Sequence, residues 1–151
     1  MTKRCPTCEY SSETEALVFE SNYWRVFLHG DQSYLGRCLV DLKRHAGSIP
    51  ELTSEEWIDL HHIIGKLENA LTRAFHPTLF NWTCLMNHAF REKPYNPHVH
   101  WHLKSRYEKT VSFAGHEFQD KEFGNHYDRT TNRKLPAETM EKIIQEIKKN
   151  R

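Results

Sequence analysis

Glycine and proline are scarce in this chain of 151 residues, which contains 6 of each and no internal repeat. Disordered chains are often rich in glycine and proline, and repetitive chains show a regular sequence period. The composition and the lack of a repeat therefore argue against both classes. Hydrophobic residues make up 38% of the chain and aromatic residues 12%, enough for a real core at this length. We therefore expect one globular domain over residues 1–151.

An excess of charge of one sign is also lacking. The chain has 21 Lys and Arg against 20 Asp and Glu, a formal net charge of +1, with no long block of like charge. A surface that binds duplex nucleic acid needs clustered positive charge to neutralise phosphates. The sequence therefore predicts that no nucleic-acid polymer is a partner.

Long hydrophobic runs are absent as well, since no segment approaches the roughly 18 apolar residues of a membrane span. Residues 1–6 carry Cys and Pro where a secretory signal has its apolar core. We expect a cytoplasmic protein that does not bind membranes. In a reducing compartment the cysteines are expected to be thiols or metal ligands instead of disulfides. They are Cys5, Cys8, Cys38 and Cys84.

Five segments have the composition of β-strands, with β-branched, aromatic and leucine residues between turn formers. The first three are predicted to form an antiparallel meander, and the last carries three histidines. The predicted strands are residues 16–20, 23–28, 36–42, 79–86 and 97–103.

Two helices are predicted around these strands, which makes the fold class α+β. Thr53 and Glu56 form a capping-box pattern, and His76-Pro77 ends the helix. A second amphipathic helix is predicted over residues 136–147, whereas residues 104–135 show no clear period. The apolar face of the long helix is predicted to consist of Trp57, Leu60, Ile64, Leu67, Leu71 and Phe75.

Histidine is abundant, with 11 residues, and three of them share one strand. His98, His100 and His102 alternate with large apolar residues, and side chains alternate between the two faces of a strand. Three imidazoles are therefore predicted to line one surface. Thr, Lys or Glu would be the usual residues on a merely solvated strand face, so the histidines indicate metal or proton chemistry.

Cys5 and Cys8 form a CxxC pair, which is a weak signal by itself. The pair does not lie at the strand-to-helix turn that a thioredoxin-like redox site requires, so a zinc site is favoured. A tetrahedral site needs two further ligands, and His45 and His98 are the candidates. Free thiols at a frayed end remain the alternative.

Residues 96–103, Asn-Pro-His-Val-His-Trp-His-Leu, closely resemble the signature of the histidine triad family. Residues 36–45 resemble the family's strand with its following Lys-x-His, and residues 52–56 resemble the start of its helix. The resemblance spans residues 5–107, and residues 108–151 form a C-terminal extension of the same domain. It implies a five-stranded antiparallel sheet and a homodimer.

The resemblance also implies a function, namely nucleotide hydrolysis or transfer at an α-phosphate. His100 would be the nucleophile that forms a nucleotidyl-histidine, His102 would contact the phosphate, and Asn87 would position the substrate. The substrate would be a purine nucleoside monophosphate derivative or a dinucleoside polyphosphate.

In family branches that carry an N-terminal CxxC, the resemblance implies a zinc ion bound by two cysteines, the histidine after Lys-x and the first histidine of the triad. In this chain those residues are Cys5, Cys8, His45 and His98. Such a zinc would be structural, because protein side chains fill all four tetrahedral positions.

The chain departs from the family pattern at several places. Residues 93–97, Lys-Pro-Tyr-Asn-Pro, replace a Gly-Gln-Ser/Thr-Val stretch. His29 stands at the spacing of an acidic ribose-binding residue and Asp31 follows it, so both are candidate substrate-binding residues. Lys104 replaces an apolar residue that closes the motif. Residues 116–128 have no counterpart and are expected to cover one edge of the site.

Two other functions remain open. The first is a nucleotide-binding or sensor protein with little turnover. In the second, His98, His100 and His102 hold a catalytic metal that keeps an open coordination position.

Overall fold

A computed structural model describes residues 5–9 and 14–151 of the chain. Its centre is a five-stranded antiparallel sheet with the strand order β1-β2-β3-β5-β4. The predicted α+β class and the number of strands in the sheet are thus confirmed. The strands are Leu17–Glu20 (β1), Trp24–Leu28 (β2), Cys38–Leu42 (β3), Leu79–Thr83 (β4) and His100–Arg106 (β5).

Strand β5 begins later and ends later than predicted. It starts at His100, and the amide of Val99 just before it donates to the carbonyl of Ala46, in the turn after β3, at 2.8 Å. The strand then continues to Arg106, which pairs with Leu79 of β4. Because side chains alternate, the face that carries His100 and His102 extends to two cationic residues. They are Lys104 and Arg106.

The long helix α2, Ser54–Phe75, packs one face on the sheet. Its capping box is present: the Thr53 hydroxyl accepts from the Glu56 amide at 3.3 Å, and the Glu56 carboxylate accepts from the Thr53 amide at 2.8 Å. The helix ends at His76, which has a left-handed φ of 54°. Trp57 is 41% exposed, and Ile63 is more buried than the predicted Ile64.

The C-terminal helix α3, Ala137–Lys149, starts one residue later than predicted because Pro136 is its N-cap. It lies against α2 and β1, and buries Ile143, Ile144 and Ile147 in the same core as the sheet. A helical turn, Pro6–Glu9 (α1), lies near the N-terminus. None of the described helices combines the length and apolarity that a bilayer crossing requires.

A small hairpin of β6, Val111–Phe113, and β7, His116–Phe118, was not predicted. Its turn residues Ala114 and Gly115 have φ values of 49° and 78°. Two-residue hairpins favour such positive φ values, and Asn or Asp is the usual residue at the first position. Because Ala114 occupies this position, the sequence does not show the usual signal of a hairpin turn.

Arg106 connects residues 119–128 to the histidine face of β5 through an ion pair and hydrogen bonds. Its guanidinium donates to the Asp120 carboxylate at 2.6 and 3.1 Å, and the two side chains are 3% and 1% exposed. It also donates to the carbonyls of Glu122 at 2.9 Å and Asn125 at 3.1 Å. This buried ion pair holds the segment beside the end of β5.

We expect the change Asp120→Ala to lower the free energy of unfolding by about 3–5 kcal/mol, because it leaves the Arg106 charge buried and unpaired. Urea unfolding followed by tryptophan fluorescence measures the effect. Glu138→Ala is the control, since Glu138 pairs with Lys142 while 80% exposed, and its loss costs little. Equal effects of the two changes would contradict a stabilising role of the buried pair.

Candidate active site and metal centre

Two cysteines and two histidines converge near the N-terminal end of β5. The Nδ1 atom of His98 lies 3.3 Å from Cys5 Sγ, 3.4 Å from Cys8 Sγ and 3.3 Å from His45 Nδ1. Cys8 Sγ lies 3.5 Å from His45 Nδ1, and all four atoms are within 4.8 Å of one another. The structure therefore brings together the four residues predicted as metal ligands.

The spacing of these atoms fits one tetrahedral ion. Zinc bonds of about 2.0 Å to nitrogen and 2.3 Å to sulfur give tetrahedral edges of roughly 3.3–3.8 Å. The Nε2 atom of His98 is 2.7 Å from the Leu42 carbonyl, so it carries the proton and leaves the Nδ1 lone pair free for a metal. Burial lowers the pKa of His98, which favours the neutral ligand form. Two sulfurs and two imidazoles are a donor set that suits zinc.

Local structure positions these ligands. Cys5 and Cys8 flank the first residues of α1, and the Arg25 guanidinium donates to the carbonyl of Thr7 within that turn at 3.4 Å. His45 lies three residues beyond β3, and His98 lies two residues before β5. Adjacent antiparallel strands thus place both histidines at one end of the sheet.

The histidines do not form the alternative triad of metal ligands. Within residues 5–9 and 14–151, no other group of three or more His, Cys, Asp or Glu side chains converges as the first cluster does. Of His98, His100 and His102, only His98 belongs to a ligand cluster. The other two face each other instead.

His100 and His102 form a pair with defined proton positions. The Nδ1 atom of His100 is 2.8 Å from the carbonyl of His98, so it must carry a proton and the lone pair lies on Nε2. The Nε2 atom of His102 lies 3.2 Å from this Nε2 and is therefore its donor. Burial, and next the neighbouring His100, lowers the pKa of His102 to about 3. The low pKa keeps the His102 ring neutral at physiological pH, and the Nε2 lone pair of His100 is the acceptor of the pair.

His29 lies near this pair, with its ring 6.4 Å from the ring of His102. Its Nδ1 accepts a hydrogen bond from the amide of Asp31 at 2.9 Å. Burial, followed by the charge of Arg37, lowers the pKa of His29 to about 4. His29 is therefore neutral at physiological pH and borders the histidine pair.

We expect His29 to make folding sensitive to acid. A histidine in the unfolded chain has a pKa near 6.5, so the unfolded state binds a proton below that pH. In the folded state His29 binds its proton only near pH 4, and the unfolded state is therefore favoured between these pH values. The stabilising contribution is present above pH 6.5 and is lost as the pH falls towards 4. Between pH 7.5 and 5.5 His29→Asn should remove roughly 1 kcal/mol of the pH dependence of unfolding.

Urea unfolding at both pH values measures this difference, and His61→Asn, on the exposed face of α2, is the matched control. Proton uptake by the metal ligands is common to all three proteins and cancels in the comparison. An unchanged pH dependence in His29→Asn would contradict the burial of a neutral ring.

Asp31 is already occupied by hydrogen bonds within the protein. Its carboxylate accepts from the amides of Ser33 at 2.9 Å and Arg133 at 2.8 Å, and it pairs with the Arg37 guanidinium. The structure thus places Asp31 near His29 but turns its oxygens to other partners. As a substrate-binding residue it would have to exchange these bonds for substrate hydroxyls.

Asn87, a predicted substrate-binding residue, makes no polar contact among the described residues that ties it to the histidine pair. It is exposed at the start of a short 3-10 turn, Asn87–Phe90, after β4. No hydrogen bond joins it to His100 or His102 in the described part of the chain. Its role in positioning substrate therefore stays a prediction.

Three polar residues of this face were not predicted as site residues. Asp41 lies opposite His100 in the register of β3 and β5 and is 4% exposed. Burial raises the pKa of its carboxyl to about 6. Lys104 is 6% exposed, and its ammonium lies 3.9 Å from the centre of the Tyr127 ring. Arg37 precedes β3. The alternation rule contained the signal, because Lys104 follows His102 by two residues.

The segment that follows the hairpin lies against the far end of the histidine face. Tyr127 covers Lys104, and the amide of Asp128 donates to the Tyr34 hydroxyl at 3.0 Å. A cavity of about 250 Å³ beside this segment is lined in part by Tyr34, Asp128 and Arg133. Neither His100 nor His102 lines this cavity.

Comparison with models of known protein families gives no match, and comparison with curated protein sequences gives none either. Solved structures do match. A hypothetical histidine triad nucleotide-binding protein from Sulfolobus tokodaii is 20% identical, with a TM-score of 0.61 over 97% of this chain and 93% of that chain. A zinc-bound histidine triad family protein from Mycobacterium smegmatis is 14% identical, with a TM-score of 0.54 over 89% and 86%.

A uridylyltransferase is also similar, at 20% identity and a TM-score of 0.58 over 92% of this chain. This chain spans 42% of the length of that enzyme. At such identities the comparisons establish the fold, which is that of histidine triad proteins. The fold that the sequence resemblance implied is thereby confirmed.

Proposed function

We propose that the chain is a nucleotide hydrolase or nucleotidyl transferase that acts at an α-phosphate through His100. The observation that carries this proposal is the hydrogen bond from His100 Nδ1 to the His98 carbonyl, at 2.8 Å. It leaves the Nε2 lone pair available for attack, with the Nε2 of His102 at 3.2 Å. An activated imidazole is a competent nucleophile for phosphoryl centres.

The similar structures support a nucleotide as the substrate. One of them is described as a nucleotide-binding protein and another as a uridylyltransferase. We propose a purine nucleoside monophosphate derivative or a dinucleoside polyphosphate. His29 and Asn87 are the proposed contacts to the rest of the nucleotide, together with Asp31 after rearrangement of its hydrogen bonds.

In the first step His100 Nε2 forms a bond to the α-phosphorus. The bond from phosphorus to the leaving group breaks with its electron pair on the leaving group, which takes up a proton from solvent. The Nε2–H of His102, no longer held by the His100 lone pair, donates to a phosphate oxygen. Water then attacks phosphorus, the nitrogen–phosphorus bond breaks, and the nucleotide and one proton are released.

We further propose that Cys5, Cys8, His45 and His98 hold a zinc ion. A similar structure is described as zinc-bound, and the ligand spacing fits a tetrahedron. A zinc ion with four protein ligands supplies structural cross-linking and no open position for substrate. The residue His98 then links the two centres, because its side chain is a ligand and its carbonyl accepts from the nucleophile.

We also propose that the chain works as a homodimer in the cytoplasm. Strands β1 and β4 are the edges of the sheet, and Leu79 on β4 is 36% exposed, which leaves an edge available to a second copy. The described cysteines are free, and free cysteines are typical of reducing compartments such as the cytosol. Sedimentation analysis at micromolar concentration tests the dimer, and a mass of one chain would contradict it.

Early-time mass spectrometry tests the reaction. The wild-type protein is mixed with adenosine 5′-phosphoramidate or diadenosine triphosphate, quenched within milliseconds, and its intact mass is measured. We expect an increase by one adenylyl group that disappears as the substrate is consumed. Turnover without this increase at any time would contradict the covalent route.

The second candidate is a nucleotide-binding or sensor protein. It is favoured by the engaged oxygens of Asp31 and by the exposed position of Asn87. Calorimetric binding of AMP without turnover of either substrate would establish this alternative and exclude the enzyme.

A further inference from the structure

Two cations beyond His102 are incompletely satisfied by the polar groups around them. Lys104 is 6% exposed, and in the described part of the chain its ammonium forms no ion pair or hydrogen bond, only the contact with the Tyr127 ring. Arg37 pairs with Asp31, yet its Nε is buried without a hydrogen-bond acceptor. Buried donors in native proteins are nearly always satisfied, so the Arg37 Nε points to a missing acceptor, and the Lys104 ammonium is a second cation without a counter-ion.

The local balance of charge is positive. Arg37 and Lys104 repel each other, and Asp31 is the one carboxylate among the charges that act most strongly on Lys104. Burial, and next the charge of Arg37, lowers the pKa of Lys104 to about 8. A dianion placed between the two side chains would supply the missing acceptor and relieve their repulsion.

The position of these cations relates them to the reacting centre. Lys104 follows His102 on the same face of β5, so their Cα atoms are about 6.7 Å apart. Both Lys104 and Arg37 act on the pKa of His102, which shows that they lie within electrostatic reach of its ring. If His100 and His102 hold the first phosphate, Lys104 and Arg37 therefore lie where the next group of the substrate would be.

We propose that Lys104 and Arg37 bind a second phosphoryl group of the substrate and select nucleotides that carry one. This inference rests on the proposed function, because it places the first phosphate at His100 and His102. The second group is part of a polyphosphate chain or is attached to the ribose. Tyr127 holds the ammonium in place through its ring face until the anion arrives.

Titration calorimetry with three ligands tests the proposal. They are AMP, the α,β-methylene analogue of ADP, which resists hydrolysis, and adenosine 3′,5′-bisphosphate. We expect wild type to bind one of the bisphosphorylated ligands at least 10-fold more tightly than AMP. Lys104→Met should weaken that ligand by about 10- to 100-fold more than it weakens AMP, and Lys104→Arg should restore most of the difference.

The identity of the affected ligand distinguishes the two sources. If Lys104→Met loses affinity selectively for the methylene analogue, the second phosphoryl group belongs to the polyphosphate chain. If it loses affinity selectively for the 3′,5′-bisphosphate, that group is attached to the ribose. An equal loss for all three ligands would overturn the inference, because Lys104 would then act on the first phosphate or on packing. Binding of AMP with no effect of Lys104→Met on any ligand would overturn it while leaving the proposed function intact. No binding of any ligand to wild type would overturn both.

Proton uptake gives a second measurement that a packing role would not affect. Lys104 with a pKa of about 8 is half protonated at pH 8, and a bound dianion raises that pKa. Calorimetry in two buffers of different ionisation enthalpy should detect uptake of up to about half a proton in wild type. We expect Lys104→Met to lack this uptake.

Discussion

His100→Ala is expected to lower kcat by at least about 10⁴-fold on both adenosine 5′-phosphoramidate and diadenosine triphosphate. The reason is that His100 offers the Nε2 lone pair of the histidine pair, whereas the Nε2 of His102 carries a proton and is the donor. Removal of a nucleophile abolishes the covalent route and leaves only slow direct attack by water. Single-turnover kinetics measures the chemical step itself.

Binding and folding must be separated from chemistry in this experiment. His62→Ala, on the exposed face of α2, is the matched control and should keep the wild-type rate. AMP should still bind to His100→Ala within a few-fold of wild type, and no adenylylated protein should accumulate. A variant that retained a tenth of the rate would exclude His100 as the nucleophile.

Loss of the metal centre is expected to have the largest effect on stability. Purified wild type should contain one zinc per chain, and Cys8→Ser should contain none. A metal that binds only the folded chain stabilises it by mass action, so we expect the free energy of unfolding to fall by at least about 3 kcal/mol. Metal analysis by mass spectrometry and urea unfolding measure the two effects.

Cys84→Ser is the matched control, because Cys84 is a partly buried thiol outside the cluster. It should keep its zinc and lose much less stability. We also expect a strong chelator to lower wild type to the stability of Cys8→Ser and to leave Cys8→Ser unchanged. Wild-type protein free of zinc and as stable as Cys8→Ser would refute the metal site.

Local sequence signals were sufficient for the five-stranded sheet and the two long helices. The capping box at Thr53 located the start of α2, and the alternation of apolar residues located the strands to within a few residues. The β6–β7 hairpin was missed because Ala114 occupies a left-handed position that residue preferences assign to Asn or Gly. A conformation that opposes the preference of its residue cannot be predicted from that preference.

The site was predictable to the extent that its residues belong to recognisable short patterns. The CxxC pair and the histidine strand supplied three of the four clustered ligands, and the family resemblance supported His45. The roles of Asp41, Arg37 and Lys104 depend on neighbours that are distant in sequence. Burial and pairing across strands decide which of these charges are satisfied, and no local pattern encodes that outcome.

The peptide group between the first two triad histidines has an engineering consequence. The imidazole of His98 faces the cysteines, while its carbonyl accepts from the Nδ1 of His100, so the proposed metal site and the proposed nucleophile use different atoms of one residue. A different ligand side chain at this position could retain the ion and leave the backbone contact intact. The two centres can therefore be redesigned separately, provided that the main chain from His98 to His100 keeps its path.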